Sequence, residues 1–568
     1  MKKYRWQLLI ILVTGLIVGV LLIVQQMDSG ETIESTPSPI TGGVYTEALI
    51  GDFMRLNPIL DVYNAPDRSV DHLIFSGLVK FDYKGIPQTD LAKSWGVSKD
   101  GTVYNFSLRT DVFWHDGEVF DSRDVLFTIG VLQGQHGLIP EDLRKFWSEV
   151  EVVVLSDSQL QFLLPEPFAP FLDYLTFGIL PEHILGGLGL EEIIDHPFNL
   201  APIGTGPFRF QRLLVENDEI VGVVLDAFED HYLDRPFLDE FIFRYYPTSK
   251  DALAAYQLGE VEGIGEVDET ILDEVLGDSD LAIYSAREPL LTLVYLNLDN
   301  PEVKFLQNPV FRRALLSAIN KNLIIERVYN GQAIPAYGPI MPGTWAYYED
   351  IEKVNYDIVS AKSLFESTGV SFDEELDLYL TEGELEVEVT LLHPDDTRHA
   401  EIAALIKTNW EDLGIKVILD AKPYEEVLTD LRSRMYQTAL VDINLTRSPD
   451  PDPYPFWGQA QLKSGQNYAE WDNRSASEFL EQARMTVDLS ERERLYRNFQ
   501  VLFVRELPSL PLLCPVYSYA ITDDINGVNI GPIFEPSDRF NNVHNWYILS
   551  SKETSPIETL EQTSSDIE

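Results

Sequence analysis

In one segment, residues 108–129, an apolar strand, a charged turn and a capped helix follow one another directly. Gly117 is free to adopt the positive φ that the turn needs. Asp121 or Ser122 can cap the helix that follows, whose apolar residues share one side. The segment predicts a strand–turn–helix corner. His115 is predicted to be structural, because no partner in the segment would make it catalytic.

The middle of the chain alternates predicted strands with well-marked helices, a pattern typical of an α/β protein. Asn308 caps one helix and Pro309 opens it, and the apolar positions predict a core-facing side with Arg312 and Arg313 towards solvent. A second helix ends at Gly414. The chain has 568 residues, more than one hydrophobic core usually supports, so two or more domains are expected.

The N-terminus has the features of a membrane anchor. Lys2, Lys3 and Arg5 precede the apolar run Leu8–Val24, and basic residues before such a run hold that end in the cytoplasm. The run reaches the lower limit for spanning a bilayer, and no small-x-small cleavage site follows it. Residues 1–24 are therefore predicted to be a cytoplasmic stub and a single transmembrane helix, with a removed signal peptide as the alternative.

Two polar stretches flank the predicted folded region. Residues 25–40 are rich in Ser, Thr, Pro and Glu and are predicted to be a flexible linker, so that everything after about residue 25 lies outside the cytoplasm. Residues 550–568 are predicted to be a disordered acidic tail. Neither stretch is expected to contribute to a packed core.

Charge and cysteine content exclude several classes of function. The formal net charge of −50 makes a nucleic-acid partner or an anionic lipid surface unfavourable. The only cysteine, Cys514, lies in an apolar run without a disulfide partner, and no paired-cysteine spacing for structural zinc or an iron–sulfur cluster is present. No cofactor and no metal site are predicted.

Candidate catalytic motifs are weak. His393 and His399 flank two aspartates, but they straddle a turn and a helix start, which favours a capping turn over a metal site. The run Gly204–Gly206 lacks the lysine and spacing of a phosphate loop, no Gly-x-Ser-x-Gly motif is present, and Cys514 has no activating histidine. The protein is predicted not to be an enzyme, with no catalytic residue assigned.

A series of motifs spans most of the chain in a fixed order. Segment 108–129 resembles the "F-H-D-G-x-x-x-x-A-x-D-V" motif of the family 5 extracellular solute-binding proteins, the receptors of peptide and nickel ABC importers. The resemblance runs from about Thr41 to Tyr547. The other motifs that carry it are Gly42–Tyr45, Leu56–Pro58, Phe75–Val79, Leu91–Trp95, Pro202–Phe208 and Asn308–Leu315.

The resemblance implies a two-lobe, periplasmic-binding-protein-like α/β fold of type II, in the large class with an extra subdomain. Residues 41–290 would form lobe I, with the extra subdomain at about 75–200, and residues 291–505 would form lobe II. Residues 506–549 would return to lobe I. The outward crossing is placed near Leu291–Asn297 and the return crossing near Arg505–Leu513, a paired hinge that lets the lobes rotate as rigid bodies.

By the same resemblance, the protein is expected to be a membrane-tethered receptor of an ABC importer. It would capture a peptide or similar small solute in an interlobe cleft, close over it, and deliver it to the permease and ATPase complex. The protein is expected to act as a monomer. An extracellular hydrolase that uses cleft carboxylates and a surface interaction protein without transport function remain the alternatives.

A proline-rich segment, Leu445–Trp457, is the best candidate for a cleft wall. Its prolines are predicted to deny it both a helix and a strand ladder while presenting side chains to a ligand. The resemblance aligns Arg447 with the aspartate that binds a peptide's ammonium group, and an arginine there would favour a carboxylate or phosphate. Another alignment gives Asp450 the ammonium-binding role. Peptide and anionic or sugar-like ligands both stay open.

Further candidate ligand contacts come from three other places. The loop after the first strand matches the position where peptide receptors place backbone against an extended ligand. Hinge and return-strand residues would complete an aromatic rim. The full set of predicted ligand-binding residues is Tyr63, Asn64, Ala65, Tyr295, Asn297, Arg447, Ser448, Asp450, Trp457 and Tyr517.

Overall fold

The computed structural model describes residues 39–381, 383 and 386–549. The predicted anchor (1–24), most of the predicted linker (25–40) and the predicted tail (550–568) lie outside these residues. Within the described ranges, no helix has the length and apolar character needed to cross a bilayer. Pro39–Ile40, at the end of the predicted linker, pair antiparallel with Ile548–Leu549. The rest of the description concerns Thr41–Tyr547.

A 12-stranded mixed sheet runs through Thr41–Tyr547. Ten of its strands form one path, and the other two, Leu281–Arg287 and Ala333–Pro335, pair with Ser509–Thr522 beside that path. Along that path the strands follow the order Lys416–Lys422, Glu388–Pro394, Thr438–Asn444, Leu290–Leu296, Ser509–Thr522, Gly263–Ile264, Val44–Ile50, Glu240–Tyr246, Glu219–Ala227 and Phe208–Glu216.

The strand Ser509–Thr522 joins the two halves of this sheet. Its first residues pair with the strand Leu290–Leu296, whereas its later residues pair with Leu281–Arg287. Only Glu288 and Pro289 separate those two partner strands, so the chain passes from one half to the other there and comes back along Ser509–Thr522. This strand overlaps the predicted return crossing near Arg505–Leu513. The predicted limits of the lobes stay a prediction.

The second half of the sheet has its own hydrophobic core. All of its buried members lie between Leu291 and Cys514, and Trp410 at its centre has no exposed surface. Trp410 therefore packs in this core. The helices of this half are Pro309–Ala318, Lys321–Tyr329, Ile358–Glu366, Thr397–Leu413, Tyr424–Ser433, Tyr454–Trp457, Arg474–Met485 and Leu489–Glu506, with 3-10 helices at Lys304–Gln307 and Gln459–Gln461 and a small hairpin of Ser371–Asp373 and Leu378–Leu380.

The helix Pro309–Ala318 confirms the predicted cap and corrects one predicted orientation. The side chain of Asn308 accepts a hydrogen bond from Val310 N at 2.9 Å. Arg312, however, is buried. Its Nε donates to the carbonyl oxygen of Glu506 at 2.8 Å, at the C-terminus of another helix, whose carbonyls lack partners within that helix. Arg313 does face outward and pairs with Glu352 at 2.7 Å.

The first half contains the strand–turn–helix corner that the sequence predicted. Asp121 is the cap of the helix Ser122–Leu132, with its carboxylate accepting from Arg123 N at 2.7 Å, and Asp124 accepts in return from Asp121 N at 3.0 Å. Gly117 has a φ of +92°. The ring of His115 lies between backbone atoms of residues 204 and 206, which confirms its structural role.

A separate four-stranded antiparallel sheet lies within the predicted subdomain at 75–200. Its strands follow the order Ala92–Val97, Val103–Leu108, Gln159–Leu163 and Glu151–Ser156. The hairpin Val79–Phe81 with Pro87–Thr89 precedes it. The remaining elements of the first half are helices Ala65–Ile74, Glu141–Glu149, Glu182–Leu185, Leu190–Ile194, Ser249–Gln257 and Leu272–Leu276, 3-10 helices Ala169–Leu175, Pro197–Leu200, Pro536–Phe540 and Val543–Asn545, and the strand Ile525–Asn526. The strand Tyr547–Leu549 is the last described element of the chain.

A buried lysine gives the fold a testable pH dependence. Lys321 opens the helix Lys321–Tyr329, and its ammonium nitrogen lies 2.7 Å from the carbonyl oxygen of Ala336. Burial lowers the pKa of the Lys321 amine to about 7. The unfolded chain therefore binds more protons than the folded one between about pH 7 and the ordinary lysine pKa. The free energy of unfolding should rise with pH across that window.

Replacing Lys321 by methionine should stabilise the protein at slightly acidic pH by about 1–3 kcal/mol, because the charged amine is no longer held in the core. The same replacement should flatten the rise of stability between neutral and alkaline pH. Lys353, an exposed lysine over the same Tyr337 ring, provides the matched control. Urea unfolding at several pH values measures both effects, and identical pH profiles for Lys321→Met and Lys353→Met would contradict the assignment.

Candidate ligand-binding cleft

A cavity of about 500 Å³ lies where the proline-rich segment faces parts of the chain from the other half of the molecule. This volume is within the range of small-molecule sites. One wall consists of residues 444–456 and the opposite wall of residues 140–143 and 168–177. The side chains that give the cavity its character are Phe168, Tyr174, Phe177, Thr446, Arg447, Ser448, Asp452, Phe456, Arg484 and Glu535.

The proline-rich segment follows an irregular path that tertiary hydrogen bonds hold in place. Arg447 N donates to the carbonyl oxygen of Phe534 at 2.9 Å, and Arg447 itself has a φ of +60°. The prediction that prolines exclude a helix is wrong at one point, since Tyr454–Trp457 form a short helix. Pro455 stands in its first turn, where a missing N–H costs no helical hydrogen bond.

Arg447 connects the proline-rich wall to acidic side chains of the first half of the molecule. Its Nε lies 3.0 Å from Glu535 Oε2 and a terminal nitrogen lies 3.4 Å from Asp61 Oδ1. Arg68 Nε also approaches Glu535, at 3.3 Å. The Arg447 side chain nevertheless keeps 34% of its surface exposed. It can therefore contact a ligand, but the guanidinium charge is already balanced by the first half of the molecule.

Burial and the two guanidiniums have opposite effects on the pKa values of the carboxylic acids in this network. Burial raises the pKa of Asp61 to about 7, although Arg447 and Arg68 act to lower it. Burial also acts on Glu535, but the same two guanidiniums hold the pKa of Glu535 below its usual range. Glu535 is thus the ionised partner of Arg447, whereas burial favours the protonated form of Asp61.

Asp450 has a different environment from the one expected for an ammonium-binding carboxylate. It is buried, and its two carboxylate oxygens lie 2.5 and 2.8 Å from the terminal nitrogens of Arg492. Its backbone N–H donates to Asp173 Oδ2 at 3.0 Å, a bond between the two walls. The Asp450 carboxylate is therefore already paired with a guanidinium within the protein, and its assignment to a ligand's ammonium group stays a prediction.

Two aromatic residues of the predicted wall and rim belong to the core. Trp457 is 1% exposed, and its ring lies 4.8 Å from Phe503 and 5.6 Å from Tyr295. Tyr295 is equally buried, because its strand, Leu290–Leu296, lies in the middle of the sheet. Neither ring lines the cavity, and the structure places both side chains in packing contacts instead.

Asn297 and Tyr517 also have intramolecular partners. The amide of Asn297 donates to the carbonyl oxygens of Arg434 and Tyr436, at 3.0 and 2.9 Å. The hydroxyl of Tyr517 donates to the carbonyl oxygen of Gly265. Both side chains are buried. The structure thus places these two predicted rim residues in structural hydrogen bonds.

The loop after the first strand lies at the surface. Tyr63 is 69% exposed and Ala65 begins the helix Ala65–Ile74. Asn64 is half-buried, and its amide donates to Asp67 Oδ2 at 2.7 Å. Only Val62 of this loop lines the cavity. The structure therefore brings Arg447, Ser448 and Asp450 together at the cavity and leaves the Tyr63 loop beside it.

The sequence reading missed the opposite wall. Phe168 and Tyr454 sandwich Arg484, whose guanidinium carbon lies 5.1 and 4.7 Å from their ring centres. Arg484 Nε also pairs with Asp452 at 3.0 Å. The signal was present in the run of residues 165–177, where prolines and aromatics alternate as they do in the recognised wall.

The candidate enzyme motif is a capping turn, as predicted. Asp396 caps the helix Thr397–Leu413 by accepting from His399 N at 3.0 Å. The ring of His399 lies between Asp396 and Asp442, at 2.8 and 3.4 Å. One group with metal-ligating chemistry does occur, where single ligand atoms of His72, Glu535 and Asp538 lie within 4.8 Å of one another.

Comparisons with known proteins agree with this architecture. The model of the bacterial extracellular solute-binding proteins, family 5, matches residues 87–465. The dipeptide-binding protein of Escherichia coli K12 is 25% identical over 467 residues, covering 78% of this chain and 84% of that protein. The oligopeptide-binding protein AppA of Bacillus subtilis is 25% identical over 526 residues, covering 91% and 93%.

Solved structures show the same fold. The structure of HbpA2 from Haemophilus parasuis superposes with a TM-score of 0.78 at 20% identity, over 89% of this chain and 100% of that one. The likeness establishes an α/β fold with the two lobes of a periplasmic binding protein. Since the family model covers most of the chain, this protein belongs to family 5 of the bacterial extracellular solute-binding proteins.

Proposed function

We propose that the protein is the extracytoplasmic receptor of an ABC importer and captures a peptide or a similar small solute in the cleft. The observation that carries the proposal is the cavity of about 500 Å³ with walls from both halves of the molecule. The two connections between those halves make a hinge, about which the walls can separate and close. A solute that contacts both walls stabilises the closed state by its differential affinity for it.

The proposed ligand contacts centre on the proline-rich wall. Arg447 and Ser448 line the cavity, and neighbouring Thr446 adds a second hydroxyl. Phe168 and Phe456 supply apolar surface on opposite walls. Such a mixture of a few polar groups with aromatic surface suits a peptide, whose backbone needs hydrogen bonds and whose side chains need apolar contact. The names of the two relatives, a dipeptide-binding and an oligopeptide-binding protein, support the same ligand class.

The finer organisation follows from the same proposal. The fold would be of type II, with residues 41–290 and 506–549 forming lobe I, 291–505 forming lobe II and 75–200 as the extra subdomain. Tyr63, Asn64 and Ala65 would contact the end of a longer ligand at the cleft mouth. The apolar run Leu8–Val24 would anchor the receptor beside its permease and ATPase. The receptor would act as a monomer and return the solute chemically unchanged.

Native mass spectrometry of the purified full chain tests the proposal most directly. One small molecule is expected to co-purify with each chain, and peptides that match it should raise the melting temperature of the stripped protein in a one-to-one manner. The peptide recovered after incubation should be intact. Recovery of hydrolysed peptide would show a hydrolase instead of a receptor. If no peptide of a broad panel binds, peptides are rejected as the ligand class.

Arg447→Met tests the role of the ion pairs that Arg447 makes with Glu535 and Asp61. Because the closed cleft would lose the guanidinium that pairs Glu535 and Asp61, the dissociation constant of the solute should rise about tenfold. Calorimetric titration measures the change. Arg474→Met is the matched control, since Arg474 is an exposed arginine that pairs only with Glu478 and Glu481 on its own helix. Equal affinities for the two variants would contradict the proposed role of Arg447.

A further inference from the structure

A histidine and two carboxylates converge beside a second cavity of about 130 Å³, next to the cleft. His72 comes from the last turn of the helix Ala65–Ile74. Glu535 and Asp538 come from the start of the 3-10 helix Pro536–Phe540. One ligand atom of each residue lies within 4.8 Å of the other two, and no other group of three such side chains occurs in the part of the chain that the structure describes.

We propose that His72, Glu535 and Asp538 bind one divalent transition-metal ion. An imidazole nitrogen with two carboxylate oxygens is a donor set for Zn²⁺, Ni²⁺ or Co²⁺ rather than for Ca²⁺, which prefers oxygen alone. Bonds to zinc of about 2 Å place ligand atoms about 3–4 Å apart. The three side chains therefore need to move by only about 1 Å to complete the coordination.

Neighbouring groups already orient two of the three ligands. Asp538 Oδ2 accepts from the backbone N–H groups of Phe534 and Glu535, at 2.7 and 3.1 Å. Its Oδ1 has only a long contact of 3.4 Å from the Asn541 amide. Asn541 Oδ1 in turn lies 3.1 Å from Nε2 of His72. Outer partners of this kind hold metal ligands in place and select the ring nitrogen that binds.

An independent observation points to a polar occupant of the same cavity. His231 lines the cavity and is 6% exposed, yet its Nε2 has no hydrogen-bond partner among the described residues. Its other ring nitrogen lies 3.1 Å from His544 Nε2. A buried imidazole nitrogen without a partner is costly unless a ligand or ordered water satisfies it. A water molecule on a bound metal ion would supply that partner.

Two guanidiniums next to Glu535 should weaken binding of the ion, and this effect gives the proposal a further test. Arg447 and Arg68 both lie within 3.3 Å of Glu535 Oε2. Their positive charge must weaken cation binding at that carboxylate. Arg447→Met should therefore strengthen metal binding at least threefold, the opposite sign to its effect on the solute.

Titration of the untagged, chelator-treated full chain with ZnCl₂ near neutral pH tests the site. Calorimetry should show one ion per chain. His72→Gln and Asp538→Asn should each weaken the affinity about 10- to 100-fold. His183→Gln is the control, since His183 is an exposed histidine that pairs with Asp116 outside the cavity. A wild-type chain that binds no ion, or a His72→Gln variant that binds like the control, would overturn the proposal.

Two further measurements distinguish loss of the metal site from misfolding and from loss of solute binding. Melting temperatures in chelator show whether each variant is folded, and Co²⁺ absorption bands report directly on nitrogen and oxygen ligation. Solute binding measured in chelator should be unchanged within threefold by His183→Gln. Metal loss with intact solute binding leaves the receptor proposal in place, whereas solute loss with intact metal binding leaves the ion site in place.

Discussion

Replacing Glu47 by alanine should lower the free energy of unfolding by about 3–5 kcal/mol, because the fully buried guanidinium of Arg539 would lose its counter-ion. Arg539 approaches Glu47 Oε1 with Nε at 3.1 Å and a terminal nitrogen at 2.6 Å. The hydroxyls of Tyr45 and Tyr519 donate to Glu47 Oε2, at 3.0 and 2.9 Å. Glu47 thus accepts hydrogen bonds from three buried groups at once. Without Glu47, the Tyr45 and Tyr519 hydroxyls can bond only to each other, and Arg539 keeps Ser69 and the carbonyl oxygen of Pro536 but has no counter-ion.

Urea and thermal unfolding measure this effect, with Glu478→Ala as the control. Glu478 pairs with Arg474 on the surface at 2.9 Å, and such an exposed pair is worth less than about 1 kcal/mol. The double variant Glu47→Leu/Arg539→Met should recover most of the lost stability, since it removes both buried charges together. A Glu47→Ala variant as stable as the surface control would show that the buried network contributes nothing.

Local features of the fold were predictable from sequence because their partners are close along the chain. The caps at Asp121, Asn308 and Asp396 each bond to a backbone N–H two or three residues ahead. Their chemistry is complete within one helical turn. Arg312 shows where this reasoning ends, since its carbonyl partner is 194 residues away in sequence. Periodicity placed Arg312 on a solvent face that another helix covers.

The candidate site was predictable only in part, for a similar reason. Proline density marked the wall at 445–457, and Arg447 and Ser448 do line the cavity. Trp457 and Tyr295 are predicted to lie at the same surface, but the sequence does not distinguish an aromatic residue that packs in the core from one that contacts a ligand. Their burial depends on the position of Leu290–Leu296 in the middle of the sheet, which involves strands distant in sequence. Glu535 could not be found from sequence, because only the fold brings it to Arg447.

Replacing Arg492 by methionine should destabilise the protein by about 3–5 kcal/mol and weaken solute binding at least tenfold. Arg492 is the counter-ion of Asp450 and also donates to the hydroxyl of Tyr496 at 3.1 Å. Without it, the buried Asp450 carboxylate must take up a proton or turn towards water. Either change moves the wall segment whose backbone N–H bonds to Asp173 across the cleft.

The double variant Asp450→Asn/Arg492→Met separates the structural role of Asp450 from a role in binding a ligand's ammonium group. If Asp450 serves only to neutralise Arg492, removing both charges should restore most of the stability and return the solute affinity to within about threefold of wild type. If Asp450 binds the ligand's ammonium group directly, stability should recover while the affinity stays about 100-fold weaker, since a charge-assisted hydrogen bond is lost. The distances to Arg492 favour the first result. Unfolding and calorimetric titration of the same three proteins, wild type, single variant and double variant, decide between them.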